Sequence, residues 1–206
     1  MDSYETIEGT AEARIEEKKS EFIAHAAFAD TEEKALAFLE AVRARHRTAS
    51  HNVYAYALRE GARTRYSDDG EPAKTSGLPT LEAIRHANLT DCIVVTTRYF
   101  GGTLLGTGGL VRAYTAAASA ALAAAKRVTV RLCVRGRLRI DYALYEPAQR
   151  ILATAGAKTE APAFAERVTI PFRLLSGGED PLRAALNELC RGGADLAFQP
   201  PAFEPF

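Results

Sequence analysis

The feature that most limits the fold is the order of hydrophobic periods after residue 131. Leu132 to Asp141 alternates strictly between apolar and polar residues, which predicts a strand with one buried face. Residues 143–155 and 180–190 carry apolar side chains at helical spacing, and strand-like segments lie at 157–162, 165–174 and around 196–198. The resulting order, β-α-β-β-α-β, is that of a ferredoxin-like domain.

The first half of the chain has a different pattern, which predicts a separate domain with helices and strands. Asp30 to Glu33 form a typical helix start, with acidic residues in the first turn. Cys92 to Thr97 is an uninterrupted apolar and β-branched run, as in a strand buried on both faces. A glycine-rich segment then leads into an alanine-rich helix that ends near residue 125. Because the pattern changes near Arg127, we expect an α+β protein with domains at 1–128 and 129–206.

The charges balance, with 26 basic and 26 acidic residues among 206. Binding to nucleic acid therefore depends on where individual charges lie rather than on bulk attraction. No apolar run approaches the ~18 residues of a membrane span, so no membrane association is expected. The polar N-terminus lacks a secretory pattern, and three widely spaced cysteines fit buried free thiols. These features predict a cytoplasmic protein.

Arginines alternate with apolar residues along the predicted strand 132–141, and two more flank the strand around Val168. Side chains of a strand point alternately to its two faces, and the helices of a ferredoxin-like domain cover only one face. We therefore expect five side chains on the open face: Arg135, Arg137, Arg139, Arg167 and Arg173. Guanidinium groups on a flat sheet suit RNA phosphates. The alternative is an ordinary solvated sheet whose arginines pair partly with Asp141, Glu160 and Glu166.

The glycine-rich segment is the most unusual part of the first domain. Its candidate anion-binding residues are Arg98, Tyr99, Gly101, Gly102, Gly106, Gly108, Gly109 and Arg112. Glycines before a helix leave backbone N–H groups accessible where the helix dipole favours an anion, and arginines strengthen such a site. The alternative is structural, namely tight turns and close packing of helix and strand. The spacing matches neither a P-loop nor a dinucleotide-binding fingerprint.

A second group of polar residues precedes this segment. Asp68, Asp69 and Glu71 can hold Mg²⁺ in principle, but turn chemistry alone explains an Asp-Gly and a Glu-Pro pair. His51 is a candidate general base, with a structural role as the alternative. We predict neither a metal nor a cofactor, and no nucleophile is identifiable.

Together these segments resemble the YigZ/IMPACT family. The resemblance rests on Lys19-Ser20-Glu21-Phe22-Ile23, His51-Asn52-Val53-Tyr54-Ala55-Tyr56, Asp68-Asp69-Gly70-Glu71-Pro72, Gly77-Leu78-Pro79 and the block from Arg98 to Tyr114. It marks His51, Asn52, Asp68, Asp69, Glu71 and Lys74 as members of a family-motif loop. Lys74 belongs to Ala73-Lys74-Thr75-Ser76, where the family more typically has Ser-Gly-Thr-Ala.

The resemblance implies an N-terminal domain similar to the second domain of a small-subunit ribosomal protein, a fold shared with GHMP kinases. It implies a C-terminal domain similar to the last domain of elongation factor G. Eukaryotic relatives are implicated in translational control through binding a coactivator of an initiation-factor kinase, and an extra N-terminal domain helps them to recognise partners. We do not expect that domain here, so this partnership does not carry over.

These observations favour a binding or regulatory protein linked to translation over an enzyme, with RNA or the ribosome as the partner. One alternative is an enzyme that holds a phosphate or nucleotide in the glycine-rich segment. Another is a regulator that binds a protein partner through Tyr99 and Phe100.

Overall fold

The computed structural model describes residues 3–206, which form twelve strands and five α-helices. The first part contains β1 Ser3–Glu8, β2 Thr10–Glu17, β3 Ser20–Phe28, α1 Glu32–Arg45, β4 His51–Ala57, β5 Thr64–Ser67, α2 Gly77–His86, β6 Cys92–Tyr99 and α3 Thr107–Ala124. The second part contains β7 Lys126–Ile140, α4 Tyr145–Thr154, β8 Lys158–Thr159, β9 Ala163–Phe164, β10 Val168–Leu175, α5 Glu179–Leu189, β11 Asp195–Phe198 and β12 Ala202–Pro205. The predicted α+β class is confirmed.

The chain divides into two compact units, residues 4–129 and residues 130–206 together with Ser3. The division falls within β7, whereas the sequence placed the domain boundary after residue 128. The three cysteines are unpaired; Cys92 and Cys133 are buried, and Cys190 is half-buried. Within the described part of the chain, no helix combines the length and the hydropathy needed to cross a membrane.

In the first unit an antiparallel sheet in the order β2-β3-β6-β4-β5 is covered by helices on both faces. Helices α2 and α3 pack on the face that carries Phe22 and Val94, while α1 packs on the face that carries Ile93 and Val95. Because β6 lies at the centre with cover on both sides, its whole predicted apolar run is buried. Helix α1 begins as predicted, with the Thr31 hydroxyl accepting a hydrogen bond from the backbone N–H of Lys34.

In the second unit the strand order β11-β7-β10-β8 is that of a ferredoxin-like sheet. Helices α4 and α5 pack against one face, where alternate residues of β7 and β10 such as Leu138 and Ile170 are buried. The last strand, β12, was not predicted; it pairs with β7 beyond the end of β11. Its Pro205 and the preceding Pro200-Pro201 are typical of irregular structure, and proline is tolerated here because the strand has a single neighbour.

Candidate functional site

The glycine-rich segment and the acidic loop meet in one cleft of the first unit. The cleft has a volume of about 460 Å³ and is lined by residues of both segments: Ser50, His51, Glu71, Pro72, Arg98, Phe100, Leu104, Leu105, Gly106, Thr107 and Leu110. Sheet pairing explains this meeting, because β6 carries Arg98 directly opposite His51 of the neighbouring β4. Two motifs that are distant in sequence therefore form one site.

A buried ion pair lies beneath this cleft. Arg98 Nη1 donates to Glu71 Oε1 at 2.7 Å, and the Tyr114 hydroxyl donates to the same oxygen at 2.7 Å. Arg98 is 5% exposed and Glu71 8% exposed, so the charge of the guanidinium is neutralised inside the protein. Burial, followed by the neighbouring Glu71 carboxylate, raises the pKa of Tyr114 and keeps its hydroxyl protonated as a donor. Arg98 Nε is buried without a hydrogen-bond partner.

Asp68 of the same loop accepts hydrogen bonds from the neighbouring backbone. One Asp68 oxygen accepts from the N–H groups of Ser76 and Gly77 and from the Ser76 hydroxyl, and the other accepts from the N–H of Lys74. Burial opposes ionisation, but these four hydrogen bonds outweigh it and lower the pKa of Asp68. Asp68 thus caps the start of α2. The Lys74 side chain is exposed.

Asp69 and Glu71 face different partners from Asp68. Asp69 accepts from the Asn52 N–H at 2.6 Å and pairs with Arg43 at 3.0 Å. Asn52 in turn accepts from the Thr97 hydroxyl at 2.8 Å. Among residues 3–206, no three His, Cys, Asp or Glu side chains are grouped as metal ligands would be. Asp68, Asp69 and Glu71 therefore have different hydrogen-bond and ion-pair partners.

His51 is held at the edge of the cleft. Its Nδ1 lies 2.8 Å from the Asp69 carbonyl oxygen, which fixes this nitrogen as the hydrogen-bond donor. Its Nε2 lies 3.9 Å from Glu71 Oε1. Since His51 is half-buried and lines the cleft, it can contact a bound molecule.

The glycines have separate roles. Gly101 is required by close approach, because a Cβ at this position would lie 2.0 Å from the carbonyl group of Lys19. Gly106, with φ of 72°, adopts the left-handed conformation that places it as the N-cap of α3. Gly102 also has positive φ, and Gly109 is packed against Leu105. These contacts support the alternative that most of these glycines are needed for tight turns and close packing.

The start of α3 nevertheless stays open to a ligand. The first helical hydrogen bond runs from the N–H of Leu110 to the carbonyl of Gly106, and no side chain caps the helix. The N–H groups of Thr107, Gly108 and Gly109 therefore have no acceptor within the helix. Arg112 is exposed, and its Nη1 lies 3.6 Å from the position that a Cβ of Gly108 would occupy. Helix dipole and guanidinium together favour an anion here.

The open face of the second unit is divided between paired and unpaired arginines. Arg135 pairs with Glu204 at 2.7 Å, Arg167 with Asp141 at 3.0 Å, and Arg173 with Glu160 at 3.7 Å. Two of these partners, Asp141 and Glu160, are among the three carboxylates expected if the arginines belong to an ordinary solvated sheet. Arg137 and Arg139 are exposed, and neither has a carboxylate within 4.0 Å among the described residues. A depression of about 400 Å³ lies beside Arg137 and is lined in part by Arg135, Arg137, Glu160 and Pro171.

Comparison with known proteins identifies the family. Residues 18–122 match the Impact N-terminal domain, and residues 138–192 match a domain of unknown function, DUF1949. A Thermus thermophilus protein named "IMPACT family member in pol 5'region" is 42% identical over 176 residues, which are 85% of this chain and 96% of that protein. The chain belongs to the IMPACT family.

Other IMPACT-family members match over a shorter stretch. YigZ of Escherichia coli (strain K12) is 46% identical over 100 residues, which are 47% of this chain and 49% of that protein. YvyE of Bacillus subtilis (strain 168) is 42% identical over 115 residues, so the match spans about half the length of each of these two relatives. A crystal structure described as a hypothetical protein has a TM-score of 0.65 at 31% identity, covering 95% of this chain and 97% of that one.

The cleft residues all lie within the part that matches the IMPACT N-terminal domain, and two of its network members were not predicted as site residues. Tyr114 completes the ion pair, and the Ser20 hydroxyl accepts from Arg98 Nη2 at 3.3 Å and from the Gly101 N–H at 3.2 Å. Both belong to motif blocks of the IMPACT-family resemblance, which was the available signal. Tyr99 belongs to a different hydrogen-bond network, because its hydroxyl lies 2.9 Å from Nδ1 of the half-buried His46.

Proposed function

We propose that this IMPACT-family chain is a binding protein linked to translation, and that it engages RNA or a ribosomal RNA surface through phosphate contacts. The observation that carries the proposal is the pair Arg137 and Arg139. Both guanidinium groups are exposed on the open sheet face, and neither has a carboxylate within 4.0 Å among the described residues, although Asp195 of β11 lies directly opposite Arg139. Arginine side chains in this state are the natural partners of phosphate oxygens, to which they can donate two parallel hydrogen bonds.

The arrangement of this pair supports an extended polyanion over a small ligand. Arg137 and Arg139 lie two residues apart on one strand, so their Cα atoms are separated by roughly 7 Å along the sheet. The depression beside Arg137 is bordered by Pro171, and its polar lining residues, Arg135, Arg137, Glu160 and Gln199, are all exposed rather than buried as in a site that selects a small molecule. Contacts of this kind position the backbone of a nucleic acid and do not distinguish its bases.

The cleft of the first unit provides a second, independent phosphate contact. The uncapped N–H groups at the start of α3 lie next to the exposed Arg112. The link to translation rests on family membership, because the family resemblance relates both domains to components of the translation machinery.

Binding of a labelled single-stranded RNA at increasing salt tests the proposal. We expect the double substitution Arg137→Ala/Arg139→Ala to weaken binding and to reduce the slope of log K against log salt by about 1.4, at about 0.7 for each lost phosphate contact. The matched control is Arg150→Ala/Arg191→Ala, which removes the same charge from two exposed arginines outside the open face. A salt response that is flat, or equal losses in both double variants, would count against RNA binding at this face.

A second candidate is an enzyme that binds a phosphorylated small molecule, and the composition of the cleft favours it. His51, the start of α3 and the exposed Phe100 surround the same volume, so one molecule can contact an imidazole, free N–H groups and an aromatic ring. A thermal-shift screen with nucleotides and phosphorylated metabolites tests this candidate. A Cβ at Gly108 meets no backbone, so Gly108→Val should fold normally while covering the N–H groups. A ligand-induced shift that disappears in Gly108→Val would favour the enzyme.

A further inference from the structure

Strand β12 brings an acidic residue onto the arginine face of the second unit. Glu204 Oε1 accepts from Arg135 Nε at 2.7 Å, and Glu204 Oε2 lies 4.0 Å from Arg173 Nη1. The carbonyl of Pro205 accepts from Arg173 Nη1 at 3.0 Å, and Lys158 Nζ lies 4.4 Å from the ring centroid of Phe206. Residues 204–206 therefore contact three cations.

These cations form a row across three strands. Arg173 of β10 lies directly opposite Arg135 of β7 on one side and Lys158 of β8 on the other. Residues directly opposite each other project from the same face of a sheet, so three positive charges are neighbours. Like charges placed in this way are unfavourable unless an anion lies between them. The only carboxylates within 4.0 Å of this row, among residues 3–206, are Glu204 and Glu160.

Glu204 satisfies this row incompletely. Arg173 Nε and Glu204 Oε2 are both buried, and neither has a hydrogen-bond partner. Glu204 and the more distant Glu160, whose Oε1 lies 3.7 Å from Arg173 Nε, thus leave one donor and one acceptor without a hydrogen bond, which is unfavourable away from water. A phosphate group offers more oxygen atoms and matches the donor geometry of guanidinium groups well.

We propose that Arg135, Arg173 and Lys158 form a phosphate-binding site for the RNA backbone, and that Glu204 occupies this site until RNA displaces β12. This inference rests on the proposed function and concerns the regulation of the same face. With β12 in place, RNA meets Arg137 and Arg139, which have no carboxylate within 4.0 Å among the described residues. Its displacement makes the additional row available and strengthens binding.

The construction of β12 suits a displaceable segment. It has four residues, pairs only with β7 among residues 3–206, and includes Pro205, which has no N–H group to donate. None of its side chains is fully buried. A short strand at the edge of a sheet can open locally without unfolding of the whole domain.

The test compares wild type with Glu204→Gln, which removes the charge and keeps the shape, and with a variant that ends at Pro201. Affinity for labelled oligouridylate is measured by fluorescence anisotropy at increasing salt. We expect both variants to bind more tightly at low salt and to show a salt slope larger by about 1.4, as two further phosphate contacts would give. Glu188→Gln, an exposed residue of α5, removes the same charge elsewhere and should match wild type.

The possible results separate this inference from the proposed function. If wild type binds through Arg137 and Arg139 but neither Glu204→Gln nor the shortened chain binds more tightly, the displacement model is wrong and RNA binding stands. If no variant binds oligouridylate at low salt, the proposed function itself fails. Binding by the shortened chain alone would support masking by β12. Hydrogen exchange gives a second readout, because oligouridylate should accelerate exchange at residues 202–204 of wild type.

Discussion

Replacing Glu71 with glutamine tests the buried network that joins the two motifs of the cleft. The substitution keeps the size of the side chain but removes its charge. Arg98, at 5% exposure, would then remain inside the protein without a counter-charge, and the Tyr114 hydroxyl would lose a charged acceptor. Breaking a buried ion pair by removing one partner typically costs about 3–5 kcal/mol, because the remaining charge is still desolvated.

This cost is large relative to the stability of a domain, which is about 5–15 kcal/mol. With a urea dependence of about 2 kcal/mol per molar, we expect the unfolding midpoint of Glu71→Gln to fall by about 1.5–2.5 M. Far-UV circular dichroism during urea titration measures this change. Glu60→Gln, at an exposed position before β5, is the control and should unfold like wild type.

A double-mutant cycle identifies the cause. Arg98→Met in the Glu71→Gln background removes the unpaired charge, so the double variant should be more stable than Glu71→Gln alone. A loss below about 1 kcal/mol for Glu71→Gln would contradict the argument, since an unsatisfied buried charge costs more than that. Equal and additive losses from both substitutions would also contradict it, because they would show that the two side chains do not depend on each other.

Three further predictions follow from single contacts. Gly101→Ala should lower the melting temperature, because its Cβ would lie 2.0 Å from a backbone carbonyl, whereas Gly108→Ala should not; differential scanning fluorimetry distinguishes them. Asp68→Asn should lower the free energy of unfolding by about 1–3 kcal/mol, since one charged cap accepts four hydrogen bonds, and urea denaturation measures the loss. Burial lowers the folded-state pKa of His25, so the unfolded chain binds more protons and stability should fall as pH decreases through about 6.5. Denaturation at several pH values should show a weaker fall for His25→Gln, with the exposed His86→Gln as an unchanged control.

Local patterns were sufficient to predict most elements of both units, but not β1, β5 or β12. The alternation along β7 predicted which face is buried, and the apolar run of β6 predicted a central strand, because side-chain period depends directly on backbone geometry. The pairing of strands is harder to predict, because it joins segments that are distant in the sequence. The meeting of Arg98 with Glu71 depends on the register of β4 against β6, and no local feature encodes it.

The site residues also divide into those that local sequence identifies and those that depend on the tertiary structure. Sequence alone selected the five arginines of the open face and, in the cleft, His51, Glu71 and Arg98, because chemistry and strand period identify candidates locally. Only the tertiary structure decided that Arg98 is buried and neutralised, that Arg137 and Arg139 are unpaired, and that Glu204 is placed on the arginine face. The physical reason is that the availability of a charge depends on its partner, and each partner is supplied by a segment distant in the chain.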